Sequence, residues 1–413
     1  MTSPRRETVD EFRARARAWI RSNLEPMDDF ERADVPGRRD HERALQRKLY
    51  DAGFAGICFP AEYGGLGLPP AYQRAFTEEA AGYDMPSSLN VPTFGILAAT
   101  LLDFGTDEQK RRHIPAILRG EELWVQFLSE PSGGSDLAGV LTRADRDGDV
   151  FVLNGSKIWS SGAHECDYAM ILARTNWDVP KHRGLTMFIL KIHQPGVQVE
   201  QIRQVDGSME FCQEFFDDVH IPVADVVGEI DDGWTVATRL LTHERAAVGG
   251  ASIYTSGRSV GHDPGYSATD NLITQLVTST GQASNDHVRQ LVADAHVRQL
   301  VSAALSRRIG HGLANGKLPG QAGAIMKLFS ANGVIRRSEI GLEIAGAAAA
   351  AWAPGEEPPT RAAAEFSLWR QSTSLGGGSN EIQRNIISER VLGMPREYAA
   401  DREIPYREVK RSR

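Results

Sequence analysis

The stretch WVQFLSEPSGGSD, Trp124–Asp136, is where the pattern of the chain changes and the fold is decided. Its first six residues read as a strand, and its last six as a glycine-rich turn in which backbone N–H groups and small hydroxyls can approach a ligand closely. Upstream the apolar residues keep helical spacing. HERALQRKLYDAG (His41–Gly53) predicts a helix with Gly53 as its C-terminal cap. FPAEYGGLGLPP (Phe59–Pro70) is too rich in Gly and Pro to be other than a loop. AYQRAFTEEAAGYD, VPTFGILAATLLDFG and TDEQKRRHIPAILRG predict three further helices, the last opened by Thr106 and Gln109 as a capping box.

Downstream the period shortens. FVLNGSKIW, YAMILAR, LTMFILKI, VQVEQIR and FCQEFFDDV are β-branched and aromatic runs divided by turns such as DRDGD (Asp145–Asp149). They predict an antiparallel barrel or sandwich of about 100 residues. The helical period returns at Gly233 and persists to the end. Thr255–Asp270 reads as a long surface loop, APGEEPP (Ala353–Pro359) as an irregular break, and GAAAAAW (Gly346–Trp352) as a run suited to close helix packing. The expected architecture is α+β: a helical domain over 1–122, a β-barrel domain over 123–231 and a helical domain over 232–413, with no internal repeat.

Composition narrows the class. Of the 413 residues, 41% are hydrophobic and 24% charged, as in an ordinary soluble globular protein, and the length suffices for two or three cores. A net charge of -8 argues against nucleic acid as the main partner, although a local basic patch can still grip a phosphorylated cofactor. Cys58, Cys166 and Cys212 are scattered, which reads as free thiols in a reducing compartment, with neither a disulfide frame nor a metal site. No apolar run reaches the length of a membrane span. The arginine-rich start resembles a transit peptide, but Glu7, Asp10 and Glu11 interrupt it and Phe12, Ala16, Trp19 and Ile20 keep helical spacing. A first structural helix and a cytoplasmic location are expected.

Three more segments join the opening one. LNGSKIWSSGA (Leu153–Ala163) places Trp159 in a strand, where a core position is the common outcome. In GWTVATRLLTHERA (Gly233–Ala246), Glu244 shares a helical stripe with Trp234, Ala237, Leu241 and Val248. A carboxylate there is either half of a structural ion pair, with Arg245 or a distant base, or a general base raised toward neutrality by desolvation. LGGGSNEIQRNIISERVLGMPRE (Leu375–Glu397) is a glycine turn opening a helix, a form suited to phosphate groups.

In this order and together, the four segments resemble the acyl-CoA dehydrogenase family, and the resemblance spans nearly the whole chain. It implies FAD as cofactor, held by Gln126, Leu128, Ser129, Trp159, Ser161, Ser379 and Glu381, with Ser135, Arg245 and Gly378 toward the acyl-CoA substrate. Many members carry a glutamate in the last turn, in a form like YEGT; here Gly377 stands in its place, able to offer only a backbone N–H to the thioester carbonyl. A minority branch, isovaleryl-CoA dehydrogenase among them, puts the glutamate on the earlier helix before an arginine, which Glu244 and Arg245 match. The implied catalytic set is Glu244, Arg245 and Gly377: proton removal from the α carbon by Glu244, and hydride transfer from the β carbon to flavin N5.

One departure bears on assembly. The RxxFG segment with which members reach FAD in a neighbouring subunit is missing; DHVRQLVADAHVRQL (Asp286–Leu300) occupies the region, with Arg289 as a surface arginine or a phosphate ligand. Some divergent branches pair an active with an inactive subunit and share one flavin. The resemblance therefore implies a homo- or hetero-tetramer with electron-transfer flavoprotein as electron acceptor. The alternatives are a non-catalytic half-site subunit, or a related flavin oxidase or monooxygenase. A glutamate on the earlier helix points to branched or polycyclic acyl groups by analogy.

Overall fold

The computed structural model describes residues 7–26, 37–87, 90–248, 252–255, 264–353 and 355–410. The chain forms two compact units. The larger contains residues 1–203, 208–260 and 399–413, and the smaller 204–207 and 261–398.

The larger unit begins with helices α1 (Val9–Asn23), α2 (Arg38–Asp51) and α3 (Pro70–Ala80). Thr8 and Glu11 close a capping box at the start of α1. Phe12, Ala16 and Ile20 bury one face of α1 in a cluster with Phe54, Tyr72 and Phe76. The arginines of this segment have a structural use: Arg13 and Arg17 both pair with Glu79 of α3. Gly53 follows the end of α2 at φ 72°, a left-handed position that favours glycine. Asn90–Ala98 winds in wide π-type turns that run into α4 (Ala99–Phe104), and α5 (Asp107–Leu118) opens with the capping box of Thr106 and Gln109.

Eight strands follow: β1 (Trp124–Phe127), β2 (Arg143–Asp147), β3 (Val150–Ser161), β4 (Tyr168–Arg174), β5 (Leu185–Lys191), β6 (Val197–Gln201), β7 (Phe211–Pro222) and β8 (Val226–Val227). Their order is β6-β7-β3-β2-β4-β5-β8, with β1 paired to β4. Helices, sheet and helices succeed one another as expected, but the sheet is mixed and open, not a closed antiparallel barrel. β1 runs parallel to β4, and β2 meets β4 at the single pair Arg143↔Arg174. That narrow junction lets the two halves fold over a shared core of Phe127, Phe151, Leu153, Ile171, Phe188 and Val219.

β4 is buried on both faces, which is why YAMILAR reads as an unbroken apolar run. Ala169, Ile171 and Ala173 enter the core between the halves, whereas Met170 and Leu172 enter a second core with the helices. The charged strand β2 runs into the stretch expected as a turn, taking up Asp145–Asp147; only Gly148 and Asp149 turn there, because pairing with β3 organises a segment that buries little of its own.

Helix α6 (Gly233–Val248) lies on the β4–β5 face of this unit, with Gly233, Val236, Ala237, Leu240 and Ala247 buried. Its buried stripe is rotated from the one expected. Trp234 and Leu241 are only partly buried and Val248 is exposed, because the stripe follows 3.6 residues per turn through 233, 236, 240 and 247.

The smaller unit is helical: α7 (Pro264–Ser279), α8 (Asp286–Ala314), α9 (Gly323–Ala345), α10 (Pro359–Trp369), α11 (Ser372–Leu375) and α12 (Asn380–Ile386). Residues 264–270, expected in a loop, are the first turns of α7. Proline suits a helix start, and Leu272, Ile273 and Leu276 anchor the segment in a core with Leu291, Ile340 and Ile344. Residues 256–263 of that expected loop, and Pro354 of the expected break, lie outside the described residues. Gly346–Ala349 is a tight 3-10 turn that is mostly exposed, so the alanine run does not pack helix on helix. Among the described residues no helix is long and apolar enough to cross a membrane.

Candidate active site

Strand alternation places the first site residue. Trp124 and Leu128 of the opening stretch face the core shared with the helices, and Val125 and Phe127 face the core within the sheet. Gln126 therefore points to the face that α6 covers. There its side-chain amide donates to Glu244 Oε2 at 2.8 Å. Glu244 is half-buried, with Leu240 and Ala247 one turn to either side fully buried. The pairing brings the expected base and the first expected flavin residue together across 118 positions of chain.

Arg245 points away from that buried stripe and donates from Nη2 to Thr242 Oγ1 at 3.1 Å. Partial desolvation holds its guanidinium below the ordinary value, and the adjacent Glu244 carboxylate opposes the shift. On the outer face of α6, Asp103 of α4 accepts from Arg239 Nε at 2.6 Å and pairs with His243 Nε2 at 2.8 Å. The residue next to Glu244 is thereby tied to a neighbouring helix, which fixes the turn that carries it.

Leu128 is buried in the core, and Ser129 is half-buried beside it. The backbone of this segment is stapled to β3: Ile158 N–H donates to the Ser129 carbonyl at 3.0 Å, and Lys157 Nζ donates to the Leu128 carbonyl at 2.9 Å. Lys157 is fully buried and its ammonium also meets Glu130 Oε1 at 2.9 Å. Glu130 in turn accepts from the N–H groups of Leu141 and Thr142. Burial opposes its ionisation, but the Lys157 charge and these donors outweigh burial and hold the carboxyl below the usual range.

Trp159 is no core residue. It sits at a bulge between Ile158 and Ser160, 55% exposed, with φ 69°, edge-on to Phe211 at 5.9 Å between ring centroids. A left-handed backbone at a bulky non-glycine residue is strained, and such strain persists where surrounding structure and use demand it. The bulge turns a large flat ring outward near the Lys157 staple and the exposed Ser161. An exposed aromatic face beside a glycine-rich turn suits a planar ring system such as a flavin, and in this respect the residues present fit FAD.

Behind Trp159, Ser160 Oγ donates to Glu214 Oε2 at 3.1 Å. Glu214 is fully buried, and burial pushes its carboxyl up to about 7. Its Oε1 has no hydrogen-bond partner among the described residues. The motifs of the sequence point to neither the Lys157–Glu130 staple nor Glu214. A signal exists for both: Lys157 and Glu214 occupy inward positions in strands whose other inward residues, Leu153, Cys212 and Phe216, are apolar.

In the smaller unit, Gly377 and Gly378 both have left-handed backbones, at φ 67° and 89°. A Cβ on Gly378 would lie 2.6 Å from the Gln383 amide nitrogen, which donates to the carbonyls of both glycines. That turn therefore requires glycine at 378. Ser379 caps α12 by accepting from Ile382 N–H, whereas Glu381 is exposed and pairs with Arg384. Ser135, in the larger unit, is exposed, as are all of residues 131–136. Arg289 is an exposed residue of α8.

An outward indole beside a glycine-rich turn, and a half-buried carboxylate on the helix over the sheet, suit a flavin-dependent oxidoreductase. The chain belongs to the acyl-CoA dehydrogenase family: models of the N-terminal, middle and C-terminal domains match residues 6–121, 126–219 and 231–392. It is accordingly an FAD-dependent acyl-CoA dehydrogenase. It is 37% identical to acyl-CoA dehydrogenase IpdE1 of Mycobacterium tuberculosis over 95% of this chain and 99% of that protein. Among solved structures it is similar to the Tcur3481-Tcur3483 steroid ACAD, with a TM-score of 0.74, 28% identity and coverage of 96% and 100% of the two chains. The ChsE4-ChsE5 complex from Mycobacterium tuberculosis is also similar, with a TM-score of 0.71, 27% identity and coverage of 96% and 100%.

Proposed function

We propose that the protein introduces an α,β double bond into a bulky, polycyclic acyl-CoA, with Glu244 as the base that takes the α proton. The observation that carries the reading is the hydrogen bond from Gln126 to Glu244, which supports a carboxylate oriented toward the strand of the flavin segment. The amide orients the carboxylate that would receive the proton. Arg245 stands beside the base to orient it or to bind the thioester region. Gly377 offers its backbone N–H to the thioester carbonyl, where charge develops as the proton leaves. Gln126, Leu128, Ser129, Trp159, Ser161, Ser379 and Glu381 would hold FAD, and Ser135 and Gly378 would lie toward the substrate. When bound, FAD supplies the acceptor for the β hydride. The division at 122 and 231 into three domains belongs to the same proposal.

Two features support a bulky substrate and a heteromeric assembly. One similar solved structure is described as the Tcur3481-Tcur3483 steroid ACAD, and another as the ChsE4-ChsE5 complex. The absence of RxxFG fits a flavin site completed by another subunit, and Val297, Leu300 and Val301 form an exposed apolar stripe on α8 suited to subunit contact. Electron-transfer flavoprotein is the proposed acceptor of the electrons.

The test is flavin content per chain, read from the visible spectrum of the chain purified alone, followed by dye-coupled turnover of steroid-derived and straight-chain acyl-CoA. Half an FAD per chain or less, with turnover restored by a second subunit, supports the heteromer. One FAD per chain with full activity rejects it. Preference for straight-chain substrates rejects the polycyclic assignment.

A further inference from the structure

The family's C-terminal model ends at residue 392, yet the chain continues, and residues 399–413 belong to the larger compact unit. The described part of this tail is bound in detail. Tyr406 is buried, and its hydroxyl donates to the Gly139 carbonyl. Arg174, also buried, stacks on the Tyr406 ring with its guanidinium carbon 3.7 Å from the centroid. The same guanidinium donates to the carbonyls of Ala138, at 2.6 Å, and Val140, at 3.2 Å. Three consecutive carbonyls are thus captured by two side chains stacked on one another. The tail backbone continues the clamp, with Tyr406 N–H on the Val179 carbonyl and Arg407 N–H on that of Trp177. Lys181 completes it, its ammonium lying 3.0 Å from both oxygens of Asp136 and 3.3 Å from Asp401 of the tail.

Asp136 and the three captured carbonyls lie at one end of the loop that carries Ser135, and Trp177 and Val179 lie in the connection between β4 and β5. Residues 131–136 are exposed; backbone hydrogen bonds between Glu130 and Gly133 close the first half of the loop, and beyond Gly133 its exposed residues lead to Asp136. Asp136 and residues 138–140 are its fixed end. A loop ordered before binding loses less conformational entropy when a ligand arrives.

We propose that the C-terminal tail is a strap that positions the Ser135 loop for the coenzyme A portion of the substrate, with Tyr406 acting on the Gly139 carbonyl and through Arg174, and Asp401 acting through Lys181, as positioning residues. This rests on the reading of Ser135 as a substrate-side residue. The test measures coenzyme A binding to the FAD-loaded full chain by calorimetry, with FAD content and Tm alongside. Tyr406→Phe removes only the hydroxyl, and Asp401→Asn, at a partly exposed position, removes one charge and keeps the fold testable. Each is expected to weaken coenzyme A binding by about 3- to 10-fold with FAD content unchanged; Asp401→Asn is expected to leave Tm unchanged, and Tyr406→Phe to lower it by only a few degrees. Ser135→Ala is expected to weaken it similarly, and to add less than independently when combined with Tyr406→Phe.

Unchanged coenzyme A affinity in both strap variants, with Ser135→Ala weakened, overturns the strap and spares the Ser135 reading. Weakening in the strap variants with Ser135→Ala unchanged overturns the Ser135 reading and upholds the strap through other atoms of the loop. No effect in any variant, or no binding by the parent protein, overturns both.

Discussion

The side-chain amide of Gln126, in β1, donates across 2.8 Å to Glu244 Oε2, in α6. The pair ties the strand that begins the proposed flavin segment to the helix turn that carries the proposed base. Replacing Glu244 by Gln is expected to reduce turnover by about 10³-fold with FAD content intact, within the range for loss of a general base. Gln126→Leu keeps the base but frees its orientation, and about a 10-fold loss is expected, corresponding to ~1.4 kcal/mol. Rapid-reaction flavin reduction with FAD quantified per chain reads both, and residual turnover near wild type in Glu244→Gln would remove Glu244 as base.

The buried Lys157–Glu130 pair makes a different prediction. Lys157→Met leaves Glu130 ionised, buried and without its counter-charge, which costs about 3–5 kcal/mol. The double variant Lys157→Met with Glu130→Leu should recover much of that loss, since neither charge is then stranded. Chemical denaturation of the four members of the cycle measures it. Equal losses in the single and double variants would show that packing, not charge, governs the site.

Glu214 sets a pH dependence. Its folded value, pushed up to about 7 by burial, lies above the ordinary 4.5. The folded state therefore binds the proton more tightly than the unfolded one, and this stability is fully present below about 4.5 and lost as pH rises through about 7. A tenfold difference in proton affinity corresponds to about 1.4 kcal/mol. Glu214→Gln, which mimics the protonated form, should differ little from wild type at pH 4.5 and be more stable at pH 8, by roughly 2–3 kcal/mol. A stability difference independent of pH between 4.5 and 8 would contradict it.

Trp159 separates strain from use. Its left-handed backbone costs about 1–2 kcal/mol, which glycine does not incur. Because the indole is largely exposed, Trp159→Gly gives up little burial and should raise the Tm of the flavin-free protein by a few degrees, while FAD retention falls. Gel filtration followed by flavin quantification reads the second effect. Undiminished FAD retention would remove the indole from the flavin bed.

Much of the fold is legible in the sequence because it depends on local pattern. The capping box of Thr106 and Gln109, the cap at Gly53 and the strand β4 follow from residues a few positions apart. The buried stripe on α6 lies about one position from where the apolar pattern puts it, because several apolar residues flank the buried face and only packing decides which go under. The charged β2 and the first turns of α7 carry the composition of turn and loop, since partners distant in sequence supply their order.

The sequence by itself determined the succession of helices, strands and helices, the family, and the residue types available for chemistry, because periodicity and motif spacing are properties of the chain. Tertiary structure alone decided that Gln126 meets Glu244, that Trp159 turns outward on a strained bulge, and that Lys157 staples Leu128 to Glu130. It also decided that Tyr406 returns to Gly139, at the fixed end of the Ser135 loop, from 267 positions away. Each joins residues whose separation in the chain carries no signal, and is fixed only when burial forces polar groups to find partners.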